Sequence, residues 1–157
     1  MRFLALLLLS TTAAMAADIS GIIKLDGPQP KRPPLQLTPE SRKLYEGRPY
    51  PRDEVELVSA KGEIQNVFVY IRKGLPADKT YPAPKKPALL DQQRSMFRPR
   101  IQGLFVGQDF TMRNSDPIIH NVRSLSQENR PFNVAQPAGT PDRLRRFSDK
   151  EGPIELR

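Results

Sequence analysis

Asn114-Ser115-Asp116-Pro117-Ile118-Ile119-His120-Asn121-Val122-Arg123 is the stretch on which the fold turns. Its first four residues are strong turn formers. Asn, Ser and Asp bond their own backbone, and Pro117 presets its backbone angle. Upstream, Gln108 to Arg113 alternates, with Phe110 and Met112 on one face and Asp109, Thr111 and Arg113 on the other. Strict alternation is the period of a half-buried strand, so Phe110 and Met112 are assigned to the core. Downstream, Val122 to Leu125 resumes an extended pattern. The reading is two strands joined by a tight loop, with His120, the only histidine of the chain, at the end of that loop. Rigid strands with a placed loop side chain are a common way to present a binding residue.

Outward from this unit the chain is a series of short extended pieces. Leu89-Leu90, Met96 to Arg100 and Ile101 to Val106 precede it, and Phe132-Asn133-Val134, Leu144 to Phe147 and Ile154 to Leu156 follow. Nearer the N-terminus, Asp18 to Leu25 alternates as a first strand. Glu54 to Ser59 and Ile64 to Arg72 are expected to form a hairpin around Ala60-Lys61-Gly62-Glu63. Val67, Val69 and Ile71 oppose Phe68 and Tyr70, so this second arm is expected to be a central strand covered on both faces. Only Thr38-Pro39-Glu40-Ser41 has the signature of a helix start, with Thr38 as cap and Pro39 in the first helical position. Proline-rich connectors at 28–34 and 76–87 are surface loops, because proline withholds a donor from a sheet. Many short strands with Gly and Pro punctuation and one helical turn predict an all-β sandwich.

The N-terminus is of a different kind. Arg2, the apolar run Phe3 to Leu9 and Ala14-Met15-Ala16 fit a secretory signal peptide over residues 1–16. The apolar run is too short to span a bilayer. The expectation is therefore an exported chain, periplasmic or secreted, with one domain over residues 17–157 and no transmembrane segment. Export would permit disulfides, yet the sequence holds no cysteine. That also removes thiolate metal sites and thiol catalysis. The formal net charge of +8 favours anionic partners, an acidic redox protein or an anionic surface. No nucleic-acid motif accompanies it.

Asp91-Gln92, the Pro99 segment, Val106-Gly107-Gln108, Asn114-Ser115-Asp116 and His120-Asn121-Val122, in that order and spacing, resemble the periplasmic cupredoxin-like proteins labelled plastocyanin-like or methylamine-utilisation proteins. Ile19 to Gly27 and Gln65 to Ile71 are similar to the same family. The resemblance implies a cupredoxin-like Greek-key β-sandwich, with copper binding and electron transfer as its chemistry. His120 then stands at the first copper-ligand position, and Asn121 supports it by tying the ligand loops together. The family's remaining ligands, a Cys, a His and a Met, lie on a loop after the strand that here is Ile154-Glu155-Leu156-Arg157. The expectation is thus a domain lacking its last strand and that loop, and a metal site that is incomplete. The family carries Cys at the positions of Ser41 and Ser95, and His at those of Arg100 and Arg123. Neither a disulfide nor those imidazoles exist here.

No catalytic constellation is legible. Asp109, Asp116, Glu128 and Asp142 are scattered, and Ser115 lacks the glycines of a nucleophile elbow. The chain is expected not to be an enzyme. Two functions follow: a copper-binding or electron-transfer protein by resemblance, with copper not held by this chain alone, or a non-metal periplasmic interaction module with a basic surface. The cluster Arg143-Leu144-Arg145-Arg146 belongs to that surface, or to a charged edge strand that resists aggregation.

Overall fold

The computed structural model describes residues 19–54 and 57–157. The stretch assigned to the signal peptide lies outside the described residues. The elements are α1 (Pro39–Lys43), β1 (Ala88–Gln93), β2 (Met96–Arg98), β3 (Phe110–Asn114), β4 (His120–Arg123), β5 (Asn133–Gln136) and β6 (Arg143–Arg145). Strands β2-β1-β3-β6 form one sheet, in which β1 and β3 run parallel and the other neighbours antiparallel. β4 and β5 form a second, antiparallel sheet. Among the described residues, apart from one helix of five residues the regular structure is β, so the all-β expectation stands. No helix among the described residues is long and apolar enough to cross a membrane.

The core lies where the sheets meet. Phe110 and Met112 of β3 are essentially inaccessible, as their alternation requires, and they join Leu90, Val122 and Phe147. Phe147 links the layers through rings. Its centroid lies 5.7 Å from Phe110 and 6.3 Å from Phe132, the offset spacing that aromatic quadrupoles favour. Buried amides continue the contact at one end. Gln92 Nε2 donates to Gln136 Oε1 (2.9 Å) and to the Arg113 carbonyl, while Gln136 Nε2 donates to the Met112 carbonyl (3.0 Å). This network ties β1 and β3 to β5, and its geometry sets which strand ends lie side by side.

The helix begins as its sequence predicts. Thr38 is extended, its hydroxyl accepts from the Ser41 amide, and Pro39 occupies the first turn, where a missing amide costs nothing. Pairing around Ala60-Lys61-Gly62 is also present, through the bridge Val58↔Ile64 and the Ser59 amide on the Glu63 carbonyl. The long second arm of that hairpin is not. Val67 to Ile71 form no strand, and all five are exposed. Asn66 is the physical reason. It adopts φ 58°, a left-handed conformation that turns the chain out of the ladder. The same turn ends the first strand, where only Ile23 to Leu25 pair, with Glu63 and its neighbours, and Ile19 and Ile22 are exposed. The expectation of a central strand covered on both faces is therefore corrected. Ile101 to Val106 likewise carries no strand.

Candidate functional site

Asn114 ends β3 and shapes the loop beyond it. Its Oδ1 accepts from the Asp116 amide (3.0 Å), an Asx turn that the sequence signalled. Its Nδ2 donates to the carbonyls of Ile118 and Gln136, both at 2.8 Å. The loop is therefore anchored to β5 and closes quickly. His120 is consequently the first residue of β4, not a residue of the loop itself.

The loop aims Asp116 at the β1–β2 turn. Gln93 pairs with Met96, so Arg94 and Ser95 form a two-residue connection, and their φ angles are 54° and 56°. Two left-handed residues between paired strands define a type I′ turn, a geometry that Asn-Gly adopts readily and Arg-Ser does not. The Asp116 carboxylate supplies what the turn residues lack. Its two oxygens accept the amides of Arg94 (2.6 Å) and Ser95 (2.7 Å). Oδ2 also lies 2.7 Å from His120 Nε2. The Asp116 side chain is 6% exposed and that of His120 14%. In the neutral ring this bond places the proton on Nε2 and leaves Nδ1 with a lone pair.

Helix α1 covers the same turn. Ser95 Oγ donates to Ser41 Oγ (2.8 Å), and Tyr45 donates its hydroxyl to the Arg94 carbonyl (2.6 Å). Burial raises the Tyr45 phenol above its ordinary value, against the lowering by Arg94 and Arg98. A shallow groove runs between α1 and the start of β4, lined by Thr38, Ser41, Ile118, Ile119, His120 and Asn121. Asn121 reaches across to the neighbouring strand, where its Nδ2 donates to Asn133 Oδ1 (3.0 Å). It thus joins β4 to β5.

The arrangement does not suit a blue copper centre. Such a centre needs two imidazoles and a thiolate with a weak axial ligand. These 157 residues contain one His and no Cys, and among the described residues no three His, Cys, Asp or Glu side chains gather. The carboxylate–imidazole pair does have the form in which a single metal-ligating His is usually oriented. Asp116 was the residue that sequence reasoning passed over, because its partners lie 21 and 22 residues upstream across a sheet. The Asx turn it follows was the one local signal.

A second polar region lies at the far side of β4. Arg123, Ser124, Leu125, Pro131, Phe132 and Asn133 line an open cleft. Arg145 of the edge strand β6 places its guanidinium 5.6 Å from the centre of the Phe132 ring. On the opposite face of that sheet the arginines are compensated: Arg113 by Asp142 (2.8 Å) and Arg146 by Asp109. Arg123 and Arg145 have no acidic partner among the described residues. Nearby, Glu151 caps the 126–129 turn. Its carboxylate is held down to about 2 by the Gln127 amide, then by Ser126 and Asn129. No family model matches this chain, and neither a curated protein nor a solved structure matches it.

Proposed function

We propose that this chain is an exported, non-enzymatic module of cupredoxin-like Greek-key build whose basic face docks a carboxylate-rich protein partner. Arg123 and Arg145 carry the reading: both flank the Phe132 cleft without an acidic partner among the described residues, on a chain of net charge +8. Guanidiniums beside an aromatic floor bind carboxylates in forked geometry, and the ring shields them from water. His120 has a different task in this reading. With Asp116 it clamps the β1–β2 turn, so the histidine that the family resemblance assigns to copper works as a structural joint. The contact between Ser41 and Ser95 supports the build, since these are the two positions where the family resemblance places Cys.

Polyglutamate serves as the test partner. Fluorescence anisotropy between about 0.01 M and about 0.15 M salt spans a fall in screening length from ~30 Å to ~8 Å. Binding is expected to weaken at least about tenfold over that range and to be lost in R123E/R145E. Binding that ignores salt, or that survives the double charge reversal, overturns the proposal.

Copper binding is the second reading, favoured by the Asp116–His120 pair, which leaves Nδ1 of the neutral ring with its lone pair. A Cu(II) titration followed by electron paramagnetic resonance decides it. Nitrogen coupling that disappears in H120A supports a retained ligand position. A signal indifferent to H120A refutes it.

A further inference from the structure

Val67-Phe68-Val69-Tyr70-Ile71 is apolar on both faces and exposed throughout, from 46% at Val67 to 72% at Val69. Its backbone makes no hydrogen bond to any described residue outside itself. On one face Phe68 and Tyr70 stack, centroids 6.2 Å apart, and the Phe68 ring packs so closely on Gly103 that a Cβ there would collide with it. The other face presents Val67, Val69 and Ile71. Such a segment has the composition of a strand interior and the environment of a surface loop. Contiguous apolar exposure of this size marks an interaction site.

We infer that this segment pairs with the same segment of a second copy, antiparallel and centred on Val69. Three features select that occupant. First, the residue types are palindromic about Val69. Antiparallel pairing sets Val67 opposite Ile71, Phe68 opposite Tyr70 and Val69 opposite itself. Aromatic meets aromatic and β-branched meets β-branched, the favoured cross-strand pairs. Second, the charges permit only this direction. Arg72 and Lys73 follow the segment, while Gln65 and Asn66 precede it. Antiparallel pairing puts each cation opposite a neutral amide. It separates the two copies of Arg72 by about 20 Å at ~3.4 Å per residue, beyond the ~8 Å screening length. Parallel pairing would stack Arg72 on Arg72. Third, the area suits a weak self-contact. Exposures of 46% to 72% over five large side chains leave about 500 Å² per copy, of which edge-to-edge pairing covers only part, since both faces of a two-stranded ladder stay open. The pair therefore stays below the ~1,000 Å² of a standard interface, and the dimer is weak and isologous, with a dissociation constant in the micromolar range.

Sedimentation velocity of the full chain across about 1 to 100 μM tests the association. A reversible monomer–dimer equilibrium is expected, weakened at least about tenfold in V69K, where a cation would meet its own copy. Val69 is exposed, so the fold tolerates the change, which circular dichroism verifies. I19K adds the same charge at another exposed site and is expected to leave the dimer intact. The direction is read by crosslinking, which the absence of native cysteine makes clean. Under oxidation V69C is expected to form a covalent dimer and V67C is not, because in the antiparallel register only position 69 meets itself. A chain monomeric at every concentration overturns the proposal and leaves the segment to a strand from another protein. A dimer unaffected by V69K, or one crosslinked equally by V67C, overturns it as well.

Discussion

Replacing Asp116 by alanine removes the acceptor for two turn amides and for His120 in a single step. Hydrogen bonds to a charged group contribute about 1.5–3 kcal/mol each when lost. Here the turn amides are only partly buried, so water recovers part of that, and roughly 1 kcal/mol per amide is the net loss. The imidazole bond is more enclosed and contributes about 1–2 kcal/mol. The sum is a loss of about 3–4 kcal/mol. At a urea dependence of ~2 kcal/mol per molar, the midpoint of unfolding falls by roughly 2 M. The mechanism makes a sharper statement than the size. Arg94 and Ser95 are left-handed at a cost of about 1–2 kcal/mol each, and Asp116 is what holds them there. In an R94N/S95G background the turn prefers its geometry without help. The D116A loss is expected to shrink there by about 1–2 kcal/mol, a coupling measurable as a double-mutant cycle in urea melts. Should D116A unfold the chain outright, D116N gives the same cycle with a smaller loss, since it keeps one acceptor oxygen. A D116A loss below about 1 kcal/mol, or an equal loss in both backgrounds, refutes the claim that this carboxylate holds the turn.

Three further outcomes follow from other parts of the molecule. Glu151 has its carboxyl lowered to about 2 by the Gln127 amide, Ser126 and Asn129, so its stabilisation is complete above its unfolded value near 4.5 and is lost as pH falls toward 2. E151Q is therefore expected to be less stable than the parent at neutral pH and equal to it near pH 2, as thermal melts across that window will report; a gap that persists in acid contradicts the assignment. S41C/S95C is expected to close a disulfide where two hydroxyls now meet, across 54 residues, and to raise stability by up to about 4 kcal/mol on oxidation. Mass spectrometry that finds two free thiols after oxidation sinks that expectation. Q136L removes one of the two acceptors of the Gln92 amide and the side-chain donor to the Met112 carbonyl, at a cost of about 1–3 kcal/mol in denaturant melts, whereas a near-neutral result would mean that the amide network is dispensable.

What the sequence by itself determined is local. Alternation placed Phe110 and Met112 in the core, because period two in a strand is a property of neighbouring residues alone. Thr38-Pro39 started a helix through a cap that spans three residues. Asn114-Ser115-Asp116-Pro117 made a turn by bonding its own backbone. The tertiary structure decided what each of these meets. Nothing in Arg94-Ser95 announces a type I′ turn; it exists because a carboxylate from the far end of β3 arrives to hold it. His120, by contrast, meets the same carboxylate from only four residues away, so the tertiary structure decided what else that carboxylate holds. Val67 to Ile71 shows the limit most plainly. Alternation established that these residues can form a strand, but a strand needs a neighbour to bond, and Asn66 turns the segment away from both ladders that might have provided one. Pairing is a relation between distant segments, and its loop-closure cost and geometry are set by the whole fold, beyond the reach of any local pattern.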